Sequence, residues 1–363
     1  MSDETGNLSI DFLVGFTIFL IAFIWVASMI SGIMVGLQSS HIDYDAVAYR
    51  TGVILAEDPG WPASPPWEFY GDGQKYEISR FGFATSKDSP GILSQDKLNR
   101  FFCSSFIYPD DYQSRAIFGD FPYQFNISVI DVETRKGQSV GGILPDGYGY
   151  IRRLVKIKGS SNASIGLAYI IAHKYNNTAI PSDLNVTHHE FSILINNTKL
   201  QTQMRNPTYQ IDPSREQIMI NITDLRSTIV PGYNSPSISN YSKLVNISLT
   251  SINVYKWDGG ALSMVRTFNT PYIDGNSSVT APPCIVSDNI SLVINPRVFD
   301  IMQAGYSQVY FNLTFDLKTG IPPKSVNSSF LNNTFSKPFD YNYDPANVTQ
   351  PRLRDAVVEV AVW

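Results

Sequence analysis

Twenty-six consecutive residues without a formal charge, Phe12 to Leu37, constrain this 363-residue chain more than any other feature. A bilayer core takes about 20 residues of α-helix, so this run spans one with length to spare. No other stretch of the chain comes close. The residues before it, Met1-Ser2-Asp3-Glu4-Thr5-Gly6, are acidic where a secretory signal peptide is basic. No Lys or Arg precedes Arg50, so the positive-inside rule assigns no orientation.

Orientation comes from the other side of the membrane. Asn-x-Ser/Thr triplets occur at Asn126, Asn162, Asn176, Asn185, Asn196, Asn221, Asn240, Asn246, Asn276, Asn289, Asn312, Asn327, Asn332 and Asn347. Their density favours a glycosylated exterior domain. Charged residues make up only 16%, against 43% hydrophobic, which fits one span plus a surface of Asn, Ser, Thr and Tyr. A net charge of −5 argues against a nucleic-acid face, which needs clustered cations. Cys103 and Cys284 are the whole cysteine complement. They allow one long-range disulfide or two separate thiols, and they exclude a disulfide-dense scaffold.

The residues Thr5-Gly6-Asn7-Leu8-Ser9-Ile10-Asp11-Phe12 resemble the class III signal peptide of archaeal type IV pilins and related surface proteins. The resemblance implies cleavage by a prepilin peptidase at Gly6–Asn7, with residues 1–6 as leader. It also implies an assembly role for Asp11, the fifth residue counted from Asn7. Two features depart from the family pattern: no basic residue precedes Gly6, and the acid is Asp where Glu is commoner. A carboxylate carried toward mid-bilayer costs about 2.5–3.5 kcal/mol, so it needs a partner. The α-amino group created by cleavage would supply one on a neighbouring helix. The bland alternative is an interfacial Asp complementing the helix dipole. Ser28, Gly32 and Gly36 recur every fourth residue, a spacing that allows close packing between membrane helices. The stretch Phe81–Phe102, with Gly82, Asp88, Pro90 and Leu98, together with Tyr150–Val155, resembles a methanogen and haloarchaeal group of large pilin-like proteins.

Past the membrane, Ile42, Ala46, Tyr49 and Val53 form one apolar stripe. One helix is therefore expected from about Ile10 to Ala56, stopped by Glu57-Asp58-Pro59-Gly60. Residues 61–76 read as irregular. Ser94 to Ser105 reads as a helix capped by Ser94, with Leu98, Phe101 and Phe102 on one face. Beyond Tyr123 the chain alternates apolar and polar residues in short runs, the mark of antiparallel strands. The runs are Phe125–Val132, Ile151–Ile157, Gly166–Ala172, Phe191–Ile195, Gln217–Ile222, Leu244–Tyr255, Leu262–Phe268, Ile290–Ile294, Val309–Leu317 and Ala356–Trp363. Trp257-Asp258-Gly259-Gly260 reads as a hairpin turn, Arg297–Ala304 as a short helix, and 318–350 as a long loop.

The expected fold class is α+β: a long N-terminal transmembrane helix, then a predominantly antiparallel β-sandwich ectodomain, immunoglobulin-like in outline. The expected divisions are 1–6, 7–60, 61–158 and 159–363, with a seam near Lys158–Ser164. The sequence carries no nucleophile elbow, zinc-protease helix, phosphate loop or dinucleotide fingerprint. His188-His189-Glu190 opens a strand, where neighbouring side chains diverge, so no metal site is expected among the four histidines His41, His173, His188 and His189. Asp110-Asp111 is assigned to a solvated turn. The reading is a non-enzymatic surface subunit without cofactor, partnered by the membrane and by other subunits through its N-terminal helix. It sits in the cell membrane with its C-terminal domain outside, or in an extracellular filament after processing. The alternative is a single-pass surface glycoprotein that binds partners without assembling.

Overall fold

The computed structural model describes residues 10–38, 43–117, 121–166, 188–224, 245–258, 260–268, 272–273, 284–286, 289–301, 308–319 and 338–363. The chain begins with an apolar helix, α1 (Ile10–Gln38). Asp43 then opens a second helix, α2 (Tyr44–Glu57): its side chain accepts a hydrogen bond from the Ala46 amide at 3.0 Å. An N-cap residue has non-helical backbone angles, so the single rod expected from Ile10 to Ala56 is two helices. The C-terminal stop falls where expected, with Asp58 as C-cap and Gly60 at φ +82°.

Three sheets follow. The first has the order β1 (Ile92–Ser94), β4 (Gly149–Lys158), β16 (Leu353–Val362), β2 (Phe125–Asp131) and β3 (Gly137–Gly141). The second runs β10 (Tyr272–Ile273), β12 (Ile290–Ile294), β7 (Ile218–Ile222), β5 (Ser161–Ile165) and β15 (Val348–Thr349). The third runs β11 (Cys284–Val286), β8 (Val245–Asp258), β13 (Gln308–Thr319), β6 (His188–Asn196) and β14 (Phe339–Tyr341), with β9 (Ala261–Phe268) on β8. Most pairings are antiparallel. The sheets are nonetheless mixed, because β1–β4, β10–β12, β14–β6 and β5–β7 are parallel.

The alternating runs become strands because one face of each is buried. In β2 the burial alternates residue by residue from Phe125 to Asp131. The hairpin expected at Trp257–Gly260 forms: Asp258 pairs with Ala261, and Gly260 takes φ +103°. The run Gly166–Ala172 lies outside the described residues beyond Gly166. Within the stretch read as a loop, β13 runs on to Thr319, and Phe339, Tyr341 and Val348 are buried in short strands.

Two cores result. One gathers α2, the first sheet and the aromatic cluster Trp67, Phe81, Phe83, Phe101 and Tyr112. Its ring pairs, such as Phe83–Phe101 at 4.7 Å and Phe101–Tyr112 at 4.9 Å, each add about 0.5–1.5 kcal/mol beyond their burial. The other is shared by residues from the second and third sheets, among them Ile220, Leu292, Phe311 and Tyr341. The chain crosses from the first core to the second between Ile157 and Ala163. Leu353–Val362 then returns to the middle of the first sheet, although the sequence places it with 159–363.

The buried face of α2 also differs from the expected stripe. Ala46 and Tyr49 are exposed, whereas Val47, Ala48, Thr51, Gly52, Leu55 and Ala56 are buried. Closeness of approach decides this. A Cβ on Gly52 would lie 2.7 Å from Cγ2 of Ile151, and one on Gly149 only 2.1 Å from the Tyr44 carbonyl carbon. The small residues face the sheet, and the bulky Tyr49 is left outside.

Candidate functional site

Of the residues singled out from the sequence, Asp11, Ser28, Gly32 and Gly36 lie on α1. Ile10–Met29 is long and apolar enough to cross a membrane, a property that a signal sequence shares. Twenty residues of helix rise about 30 Å, the thickness of a bilayer core. None of this segment is buried against the rest of the chain. Phe19, Ile24 and Trp25 are each more than 60% exposed, and apolar groups occupy every face. Such a surface is not stable in water. Its two hydroxyl side chains are satisfied within the helix: Thr17 donates to the Leu13 carbonyl and Ser28 to the Trp25 carbonyl, both at 2.7 Å. That arrangement hides hydroxyls from an apolar surrounding.

Asp11 sits in the first turn of α1. Ser28, Gly32 and Gly36 all fall within this helix. Gly6 and Asn7 lie outside the described residues, as do His41 and His173. His188 and His189 are in β6. Among the described residues, no group of three His, Cys, Asp or Glu side chains is placed to hold a metal ion. Cys103 carries a free thiol 3.1 Å from the Ser105 hydroxyl, and Cys284 lies in β11.

The glycosylation candidates separate by exposure. Asn289 is exposed. Asn126, Asn162, Asn196, Asn221 and Asn347 are half-buried. Asn246 lies in β8, while Asn176, Asn185, Asn240, Asn276, Asn327 and Asn332 are outside the described residues. Asn312 is only 3% exposed and its side-chain oxygen accepts from Ser192 at 3.0 Å. It is therefore a core residue and not a glycan acceptor. Glycopeptide mapping of native protein is expected to find Asn289 occupied ahead of Asn312; a glycan on Asn312 contradicts this packing.

Sequence reasoning missed a set of buried charges beneath α2. Lys97, on α3 (Gln95–Phe101), is 2% exposed. Its ammonium donates to the carbonyls of Pro59 at 2.6 Å and Ala84 at 2.9 Å. Trp67 Nε1 donates to Pro59 and Gly82, so two side chains clamp the turn that ends α2. Glu68 is buried nearby, and neither of its carboxylate oxygens has a hydrogen-bond partner. Burial pushes its carboxyl up to about 7 against the pull of Lys97, with Asp96 adding to the rise. Burial likewise lowers the Lys97 ammonium. The available signal was the spacing of Lys97 four residues ahead of Phe101, which puts both on one helical face.

A second ionic group lies where the chain crosses between cores. Lys158 pairs with Glu216 at 2.8 Å and donates to the Gln210 carbonyl at 2.6 Å. Burial raises the Glu216 carboxyl. Asp96, pushed up to about 6 by burial and then by Glu216, accepts from the Ser160 hydroxyl. Arg297 donates to Gln74 at 2.7 Å and lies over the Tyr70 ring, joining residues of the two core regions. Asp111 corrects the turn assignment. It lies in α4 (Pro109–Arg115), buried, where it accepts from the Tyr108 amide and pairs with Lys75 and Arg115. Those cations and the amide hold its carboxyl below the usual range despite burial. All of these contacts fasten the head; none presents a nucleophile beside a base.

No family model matches this chain, and no solved structure matches it. Among curated proteins, one from Archaeoglobus fulgidus, described as an uncharacterized protein, is 40% identical over 60 residues. Those residues are 16% of this chain and 31% of that one. The chain thus covers about a third of the length of the relative it matches.

Proposed function

We propose that this chain is a structural subunit of an archaeal type IV pilus-like surface filament, a minor or adhesive component anchored by its N-terminal helix. The observation that carries the proposal is α1, apolar on every face from Ile10 to Met29, unburied, and bearing Asp11 in its first turn. Such a helix needs lipid or other helices around it, and its acid needs a cation. Cleavage at Gly6–Asn7 by a prepilin peptidase supplies that cation as the α-amino group of Asn7. Ser28, Gly32 and Gly36 give neighbouring helices a face for close contact. The core shared by the second and third sheets supports a β-sandwich head, presented outside. The archaeal relative is in keeping with an archaeal source.

Mass spectrometry of the N-terminal peptide from native membranes or filaments tests this reading. The expected mature start is Asn7. A start at Met1 or Ser2 leaves the alternative, a single-pass surface glycoprotein that binds partners without assembling. The Asp43 cap favours that alternative, since it starts a second helix separate from the apolar one. Asp11→Ala separates the two further. Filament incorporation, measured as subunit in sheared surface fractions, should fall at least about tenfold while membrane insertion is unchanged. Equal incorporation of the variant would remove the assembly role of Asp11.

A further inference from the structure

We propose that the end of the first sheet beside the N-terminus of α2 rests on the bilayer, its exposed aromatic and aliphatic side chains seated in a zwitterionic headgroup layer. The inference rests on α1 crossing the membrane, and it stands whether or not that helix goes on to assemble filaments.

Topology gathers these side chains. Val362, at the end of β16, pairs with Phe125 of β2 and with Gly149 of β4. Gly141 pairs with Asn126, so residues 142–148 join β3 to β4 across that same end. Trp363 and Gln124 exchange backbone hydrogen bonds there at 2.9 Å. The first turn of α2 completes the group: Asp45 accepts from the Tyr150 amide at 3.1 Å, and the Tyr44 ring meets that of Tyr123 at 6.3 Å. Ile143 is 95% exposed. Phe121, Leu144, Tyr148 and Tyr150 are exposed as well, and Trp363 is half-buried. Tyr148 and Tyr150 meet edge to face at 6.0 Å. The far end of the sheet has a different surface. Glu133, Arg135, Lys136, Arg352 and Arg354 are exposed there, and from that end the chain leaves for the second core.

The tether decides what lies against the aromatic end. α1 stops at Gln38, one residue past the apolar run, and Asp43 caps α2. The five steps from Gln38 to Asp43 reach at most about 18 Å when fully extended. The residues packed on Tyr44 and Asp45 are therefore held close to the plane where the apolar helix leaves the bilayer core. Tyr and Trp favour that plane, since an apolar ring with a polar tip matches its two sides. Charge specifies the lipid. Residues 43–46, 121–126, 141–150 and 361–363 carry Asp43, Asp45 and Asp146 but no Lys or Arg. Zwitterionic headgroups suit such a surface, and anionic ones repel it.

Full-length protein at one chain per phosphatidylcholine nanodisc tests this, because no neighbouring subunit is then present. A photoreactive group on the lipid headgroup should label the 143–150 peptide at least about tenfold more than the 131–136 turn, as mapped by mass spectrometry. A second photoreactive group, at the acyl-chain end, should label α1 and so reports the anchor separately. In the double variant Ile143→Ser with Leu144→Ser, headgroup labelling at Tyr148 and Tyr150 should fall at least about fivefold with the thermal midpoint unchanged. Labelled α1 with equal headgroup labelling of the two peptides overturns the proposal and leaves the anchor standing. Unlabelled α1 overturns both. Labelling of 143–150 that the double variant leaves unchanged also overturns the proposal, because mere nearness to lipid would then account for it.

Discussion

Gly149→Val is expected to lower the stability of the head by about 3 kcal/mol, because over-packing of a tight contact costs on that order. The contact is with backbone: a Cβ there would lie 2.1 to 2.4 Å from the Tyr44 carbonyl group and the Asp45 nitrogen. Backbone in the first turn of α2 cannot rotate aside as a flexible side chain can. Gly149 takes no left-handed angle, and valine suits a strand, so the penalty is steric. Movement of α2 would also break the hydrogen bond from the Tyr150 amide to Asp45 and the ion pair of Glu57 with Arg153. Thermal unfolding of full-length protein in detergent reads the loss as roughly 6–12 °C. Gly71→Ala, in open space, should change stability by less than about 0.5 kcal/mol. Equal midpoints for Gly149→Val and wild type would mean that α2 does not press on β4 as described.

Glu68→Gln is expected to stabilise the head at pH 8 and to leave it nearly unchanged at pH 4.5. The carboxyl of Glu68 rises from an ordinary 4.5 to about 7 on folding, chiefly through burial. A raised carboxyl value means that the folded state binds the proton more tightly than the unfolded chain. The associated stability is present in full below about 4.5 and is lost as the pH rises through about 7. The interval is worth about 3 kcal/mol. The groups facing Glu68 are Lys97, which opposes the rise, and Asp96, which adds to it. Asp96 shifts in the same direction, so the variant keeps a residual slope with pH. Unfolding midpoints between pH 4.5 and 8 provide the check. A lower midpoint for Glu68→Gln at pH 8 would show that the charged carboxylate is favourably paired with Lys97, contrary to its raised value. Lys97→Met should destabilise at both ends of the range, since it strands the buried carbonyls of Pro59 and Ala84.

The strands were the legible part of this fold. Alternation such as Phe125, Ile127 and Val129 against Asn126, Ser128 and Ile130 reports one buried face, and that pattern is local. The same logic found the hairpin after Trp257, because Gly-Gly between two runs admits few other geometries. Pairing partners were not legible. Nothing local to Leu353–Val362 says that its neighbours are β4 and β2, nor that β5 lies parallel to β7. The buried face of α2 was misread for a related reason. Hydrophobicity pointed to Ala46 and Tyr49, while the sheet selected Gly52 and Ala48 by their size. Lys97 and Glu68 were passed over because charged residues are ordinarily solvated, and the carbonyls that hold Lys97 come from residues 13 and 38 positions away. On α1 the sequence alone located the apolar run and its acid, since length and composition need no partner to be read.

The position of β16 governs when the head can be completed. Its ten residues form the middle of the first sheet, bonded to β4 on one side and β2 on the other. Yet they are synthesised after every strand of the other two sheets. Until β16 has been made, β2 and β4 therefore have no common neighbour, and the sheet beneath α2 is split in two. In the second and third sheets the last strands made, β15 and β14, lie at the edges. A chain built this way acquires a complete seat for α2 only after Leu353–Val362 has been made.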